Sequence, residues 1–385
     1  MQRLSTTEML ERLVAFDTTS RNSNLALIDF VESYLAGHGI TARRTWNDAR
    51  DKANLYATIG PADRGGVILS GHVDTVPVDG QAWTKNPFRL TREDGRLYGR
   101  GTTDMKGFVA TFLAMAPEFK AATLSKPIHL CVSFDEEVGL HGARAMIPDI
   151  VAHGPLPEAC IVGEPSSMKP VIAHKGKLAI IGTVTGRPGH SSDPPRGVNA
   201  LEAGAECIAY LKREARRFRD DGPHDARFDP AYTTVHVGAF HSGVVLNMIP
   251  EHAEFIMEWR FLPGTDIAAD YAKLRAFCAG QIEPEMKAVD PRCGFTWREY
   301  SAMPGMGLPP DHALATLVKS LAGSNDAGCV SYGTEGGLFE RAGIPTLVCG
   351  PGAIAEAHQP DEFIAESQLA ACETFLRALK DRLAA

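Results

Sequence analysis

Five side chains able to ligate a metal stand at the ends of apolar runs. His72 follows Val67-Ile68-Leu69-Ser70, Glu137 follows the run from Ile128 to Phe134, and Glu164 follows Ala159-Cys160-Ile161-Val162. His358 comes after Thr346-Leu347-Val348, and Asp104 immediately precedes the helical pattern Met105 to Phe119. Imidazoles and carboxylates without thiolates suit a catalytic divalent cation, with zinc the first choice. If the apolar runs are strands of an open α/β sheet, the residues that follow them gather in one crevice beyond the strands' carboxyl ends. Five ligands divide between two ions when one carboxylate, Asp104, bridges, which leaves each ion three protein ligands and an open position.

Each motif also has a plainer reading. In His72-Val73-Asp74, residues two apart on extended backbone point the same way. Asp74 is then placed to accept the second imidazole N–H and fix the tautomer, although a surface loop histidine fits the tripeptide equally well. The glycine-rich stretch Gly99 to Gly107 crowds Asp104 against a helix start, where it can cap the helix, bind metal, or do both. In Asp135-Glu136-Glu137, adjacent side chains diverge, so one glutamate can ligate while its neighbour faces a water as general base; a solvated acidic turn is the alternative. Prolines at 165 and 360 stiffen the loops carrying Glu164 and His358, and a lone histidine at such a place also serves as a hydrogen-bonded structural residue. In Gly333-Thr334-Glu335-Gly336-Gly337, backbone N–H groups at positions such as Gly336 can approach a bound carboxylate closely. Glu335 is expected to pair with a cationic substrate side chain, against the bland reading of a solvated acid. No Gly-x-Ser-x-Gly elbow is present, which removes the nucleophilic-serine alternative.

The elements that must position these groups follow from periodicity. Ser5-x-x-Glu8 is a capping box opening an amphipathic helix, and a second helix is expected from about Leu25 to Ala36, ended by Gly37. Strand-like runs at 54–59, 67–70, 128–134 and 159–162 alternate with helical patterns at 105–119 and 142–150, which indicates a mostly parallel sheet covered by helices. From Leu178 to Tyr300 the order becomes β-α-β-β-α-β, the split-βαβ signature of a small independent domain. The α/β pattern then resumes, with a helix from about Asp311 and strands near Thr346 and the C-terminus. The expected fold is a three-layer α/β catalytic domain, residues 1–176 and 301–385, with an inserted ferredoxin-like α+β lid, residues 177–300.

Composition narrows the function. A chain of 385 residues is long for one core and favours two domains. A net charge of -8 argues against a nucleic-acid surface, and the basic stretch Lys212 to Arg219 reads as a solvated helix face. Eight cysteines without a Cys-x-x-Cys pair suit a reducing compartment better than a disulfide framework. The N-terminus shows no signal-peptide core, and no apolar run approaches the ~20 residues that span a bilayer. A cytoplasmic protein without a membrane partner is expected.

Together Ser70-Gly71-His72-Val73-Asp74, Gly99 to Gly107, Ser133 to Glu137, Val162-Gly163-Glu164-Pro165 and His358 resemble the motifs of the M20 metallopeptidases over nearly the whole chain. Within that family, Pro77 to Trp83, Arg96 to Gly101 and His174 to Lys177 look most like the acetylornithine deacetylase branch. The resemblance implies two zinc ions, His72 and Glu164 on one, Glu137 and His358 on the other, and Asp104 bridging; a site so rich in carboxylates also accepts Co2+ or Mn2+. The resemblance further implies Glu136 as general base, Asp74 orienting His72, and a cis peptide bond between Asp104 and Met105. His190 resembles the family histidine that reaches a neighbouring active site across a homodimer, Arg260 the arginine that clamps the substrate carboxylate, and Asn247 the lid asparagine near the same site. The implied reaction removes the acetyl group of N2-acetyl-L-ornithine. Another N-acyl amino acid, a succinyl-diaminopimelate-type substrate or a dipeptide is the alternative, and a non-catalytic metal-binding protein is the remote one.

Overall fold

Ser5 opens the first helix through both halves of its capping box: its backbone N–H donates to Glu8 Oε2 at 2.8 Å, and its Oγ accepts from Glu8 N–H at 3.3 Å. That helix, Thr6–Val14, buries Met9, Leu10, Leu13 and Val14, the i, i+3, i+4 stripe of an amphipathic segment. The computed structural model describes residues 2–384. The chain divides into two compact units. One comprises the residues up to Ala173, Met306–Cys329, and those from Thr334 onward; the other is His174–Gly305 with Val330–Gly333.

The first unit is built on one large sheet, whose strands lie in the order Ala42–Trp46, Ala53–Ile59, Ile128–Ser133, Val67–His72, Ala159–Pro165, Thr346–Gly350, Val171–His174, Met306–Gly307. Its four central strands, Ile128–Ser133 through Thr346–Gly350, pair in parallel, and antiparallel pairs flank them. Central strands buried on both faces read as continuous apolar runs, and Val67–His72 and Ile128–Ser133 are buried at every position. Alternate residues face different cores. Val67, Leu69, Ile128, Leu130, Val132, Ala159 and Ile161 join the main cluster, which also holds Leu10, Leu13, Phe108, Phe112 and Leu376. Ser70, His72, Ser133 and Glu164 therefore point to the opposite face. Gly163 lies on the cluster side, where an added Cβ would come within 2.0 Å of the Phe108 ring, so only glycine lets Gly107–Ala121 pack this closely.

Two expectations need correction here. The helix expected from Met105 begins properly only at Gly107; Asp104 (φ -121, ψ 93) and Met105 (φ -133, ψ 35) are non-helical, and the bond between them is cis. The strand expected near the C-terminus is only the short Phe363–Ala365, paired with Arg96–Tyr98, and the helix Glu366–Leu383 follows it. That helix buries Leu369, Cys372, Phe375, Leu376, Leu379 and Leu383, a helical stripe that the sequence carries openly.

The second unit is a four-stranded antiparallel sheet in the order Thr234–Ser242, His252–Phe261, Gly176–Thr185, Gly294–Met303. Helices Ala200–Asp221 and Ile267–Phe277 bury Cys207, Leu211 and Leu274 against Ile180, Phe255 and Trp259. Strand and helix follow each other as β-α-β-β-α-β. No helix among the described residues is long and apolar enough to cross a membrane.

Candidate metal centre

His72 ends its strand and Glu164 lies near the end of the adjacent parallel strand, on the same face, with Nε2 and Oε1 3.6 Å apart. Asp104 comes from the cis-bonded loop ahead of Gly107–Ala121. Its two oxygens diverge: Oδ1 lies 3.1 Å from His72 Nε2, and Oδ2 lies 3.2 Å from His358 Nε2. His358 Nε2 is also 3.0 Å from Glu137 Oε1. Two ligands of one tetrahedral zinc, bound at about 2.0–2.1 Å, stand roughly 3.3 Å apart, and the observed separations bracket that value. The donor set and its spacing fit two cations sharing Asp104. Among the described residues, His72, Asp104 and Glu137 also offer ligand atoms within 4.8 Å of one another, as do His72, Glu136 and Glu164.

The electrostatics express the crowding of acids. Burial pushes the Glu136 carboxyl well up, with the charges of Glu137 and Asp104 adding to it against His72. Burial likewise raises Glu164 and lifts Glu137 to about 7. Hydrogen bonds to Asp104 and Glu137 raise His358 to about 10. For His72, burial pulls down but Asp104, Asp74 and Glu164 prevail and its pKa is raised. Asp104 goes the other way: burial is outweighed by the two histidines, and its carboxyl is lowered. Like charges held together out of water call for a cationic partner.

Asp74 does more, and different, work than its spacing suggested. The closer partner of His72 Nδ1 is the Asp74 backbone carbonyl at 3.0 Å; the carboxylate Oδ1 stands at 3.4 Å. The carboxylate also accepts from the N–H groups of Glu136 (3.0 Å) and Glu137 (3.3 Å) and from Ser20 Oγ (2.8 Å). The same turn is pinned by Lys52 Nζ on Asp135 at 2.5 Å, and Asp135 sits in the left-handed region at φ 52. Ser20 and Lys52 had no motif to mark them.

Residues 68–381 match Peptidase family M20/M25/M40. The chain belongs to the M20 peptidase family. It is 37% identical over 355 residues to an acetylornithine deacetylase of Yersinia pseudotuberculosis, covering 91% of this chain and 88% of that protein. Its fold is similar to that of the aminopeptidase PepT of Bacillus cereus, with a TM-score of 0.77, 18% identity and coverage of 99% and 100%. It is also similar to YXEP of Bacillus subtilis, described as a dinuclear metal binding peptidase of the M20 family, with a TM-score of 0.67, 15% identity and 98% coverage of both chains.

Elsewhere in this M20 chain the glycine-rich loop departs from expectation. Glu335 is fully buried, and its oxygens accept from Ser70 Oγ at 2.6 Å and Ser133 Oγ at 3.0 Å. A carboxylate so enclosed is not presented to an incoming ammonium; it ties the two strands together just behind His72. Gly336 N–H donates to Thr334 Oγ1 at 3.0 Å, and a Cβ there would meet Met306 Sδ at 2.8 Å. Its lack of a side chain serves close packing, and its N–H is not offered to a ligand. The remaining three residues lie in the second unit. Arg260 is one-third exposed and pairs with Glu258 at 3.0 Å. His190 is exposed with Nδ1 2.7 Å from Ser192 Oγ, and exposed Asn247 accepts the Ser191 N–H on its backbone carbonyl at 3.1 Å.

Proposed function

We propose that this M20 hydrolase is a two-zinc amidohydrolase that cleaves N2-acetyl-L-ornithine to L-ornithine and acetate, within arginine biosynthesis. The observation that carries the metal reading is the divergence of the Asp104 oxygens, one toward each histidine. His72 and Glu164 would hold one ion, Glu137 and His358 the other, and Asp104 both. When bound, the two ions supply Lewis acidity to the acyl carbonyl and make a water acidic enough to attack near neutral pH.

The chain's own part is positioning and proton transfer. Glu136, 8% exposed, takes a proton from the attacking water on its carboxylate and delivers it to the amine nitrogen as the C–N bond breaks. The proton it takes is the one it returns, so the shuttle needs no other acid or base. Asp74 fixes the backbone that presents it. On the same reading Arg260 receives the substrate carboxylate as a bidentate guanidinium, Asn247 assists it, and His190 serves the oxyanion of a partner copy in a homodimer; their motifs are the support for these roles.

The relatives named acetylornithine deacetylase support the substrate. A second reading, the same chemistry on a neutral N-acyl amino acid or a dipeptide, is favoured by the enclosure of Glu335, which leaves no acid assigned to a δ-ammonium. An assay of zinc- and cobalt-loaded protein on N2-acetylornithine, N-succinyl-diaminopimelate and N-acetylmethionine, with Glu136→Ala as blank, separates them. Preference for acetylornithine that disappears in the blank is expected; activity confined to another substrate overturns the substrate assignment and keeps the chemistry.

A further inference from the structure

Four N–H groups converge on Glu362, a residue that the proposed chemistry does not use. Its Oε1 accepts from the backbone N–H of Thr103 at 2.9 Å and of Asp104 at 3.1 Å. Its Oε2 accepts from Gly101 N–H at 3.0 Å and from Arg100 Nη1 at 2.7 Å. Glu362 and Arg100 are each 1% exposed. A carboxylate offers about four acceptor sites, and all are used here. The N–H groups at a helix start have no acceptor within the helix, and Gly101 (φ +83), Asp104 and Met105 leave the helical path altogether. Glu362 supplies the missing acceptor.

The same residue reaches the other ligand loop. Arg100 Nη1 donates to the Gln359 carbonyl at 3.3 Å, and Nη2 to Gln81 Oε1 at 2.5 Å. Gln81 Nε2 in turn donates to the carbonyl of His358 at 3.0 Å. His358 has φ +61, a conformation that a non-glycine residue keeps only when its surroundings fix it. Its side chain is 49% exposed, against 10% or less for the other four candidate ligands. The backbone contact from Gln81 is thus a principal restraint on a loosely enclosed residue.

We propose that Glu362 is a positioning residue for the metal centre. It holds the backbone of Asp104 directly, and through Arg100 and Gln81 it holds the backbone of His358, so the two groups that meet at 3.2 Å are set by one buried carboxylate. The proposal rests on the two-metal reading of the cluster. Glu362→Gln keeps the shape but turns an amide NH2 toward two of the four donors, freeing the Asp104 loop. Partner groups one step removed from a metal typically change affinity by about 10–100-fold when mutated.

The test is a Co2+ titration of the metal-stripped full chain, read by visible d–d absorption and calorimetry, with thermal melting of the stripped protein alongside. Wild type is expected to take up two ions. Glu362→Gln should bind about 10–100-fold more weakly and with an altered visible spectrum. Gln81→Ala, at a half-buried position, should weaken one of the two ions and leave the melting temperature of the stripped protein in place. If Glu362→Gln fails to fold, Gln81→Ala decides alone. Wild type taking up two ions while the folded variants match its affinity and spectrum overturns the positioning role and leaves the metal centre standing. A lowered melting temperature with unmoved affinity and spectrum overturns it too, because it marks a merely structural carboxylate. Wild type that binds no pair of ions overturns the metal reading itself, and the positioning role with it.

Discussion

Replacing Asp74 by asparagine separates the role expected of the aspartate, orienting His72, from the one its carboxylate has in the structure, holding the backbone of Glu136 and Glu137. Asparagine keeps one acceptor oxygen and turns an NH2 toward the other side. Ser20 can rotate its hydroxyl to accept, so the retained oxygen stays on Glu136 N–H and the amide faces Glu137 N–H. The Glu136 bond changes from charge-assisted to neutral, a loss of ~1 kcal/mol, and the Glu137 N–H loses its partner at ~1–2 kcal/mol. A sum of roughly 2–3 kcal/mol expressed in kcat is about 30–150-fold. His72, by contrast, keeps its 3.0 Å bond to the Asp74 backbone carbonyl and gives up only the 3.4 Å carboxylate contact. Metal affinity should then fall by less than about tenfold, or ~1.4 kcal/mol. Steady-state kinetics at saturating metal, with a cobalt titration of the same preparation, reads both quantities. A normal kcat together with a hundredfold loss of metal affinity would refute the reasoning, since it would mean that the carboxylate acts on His72 after all.

Glu136→Gln should reduce kcat by about 10²–10⁴-fold with two ions still bound; calorimetric stoichiometry falling to one would mark Glu136 as a ligand. His358, raised to about 10 in the metal-free chain, is protonated at pH 7 and must release that proton to coordinate. Metal affinity should therefore climb from pH 7 to 10, with proton release visible as buffer-dependent binding heats, and heats independent of buffer would contradict it. In the metal-free protein the same shift adds stability that is complete below the unfolded value of about 6.5 and is lost as pH rises through about 10. His129 runs oppositely: burial, then the Arg43 charge, lower it to about 4. The unfolded chain takes up that proton first, so stability falls as pH drops from about 6.5 toward 4, by ~3 kcal/mol in full. Urea unfolding at pH 7 and pH 5 should show part of this loss in wild type and less of it in His129→Gln; equal slopes would refute it.

The legible part of the site was the part governed by strand periodicity. Ser70 and His72 share a face because they are two apart, Glu164 joins them from the next parallel strand, and long apolar runs announced that both faces would be covered. What escaped reading depends on groups far apart in sequence. Glu335 sits in a glycine-rich loop that looks exposed, and it is buried because Ser70 and Ser133 meet it from two separate strands. Glu362 carries no local mark at all; three of its four partners are backbone amides some 260 residues earlier, and amides have no signature in a sequence. The further partners of Asp74 escaped for the same reason: its carbonyl on His72 and the Glu136 and Glu137 amides on its carboxylate are backbone groups, of which side-chain spacing says nothing.

The second unit leaves the large sheet and returns to it on neighbouring strands, Val171–His174 and Met306–Gly307, with Leu308 N–H donating to the Ile172 carbonyl at 2.8 Å. To the sheet, everything from His174 to Gly305 is the tip of a hairpin. Closing such a tip becomes harder only logarithmically with its length, by ~0.6 kcal/mol for each doubling. All five candidate ligands lie outside that stretch. The centre is thereby modular: a short turn joining Ala173 to Met306 preserves every residue of the ligand set, and an unrelated domain with closely spaced ends could be grafted there, so that the ligand set and the inserted domain can be varied independently of each other.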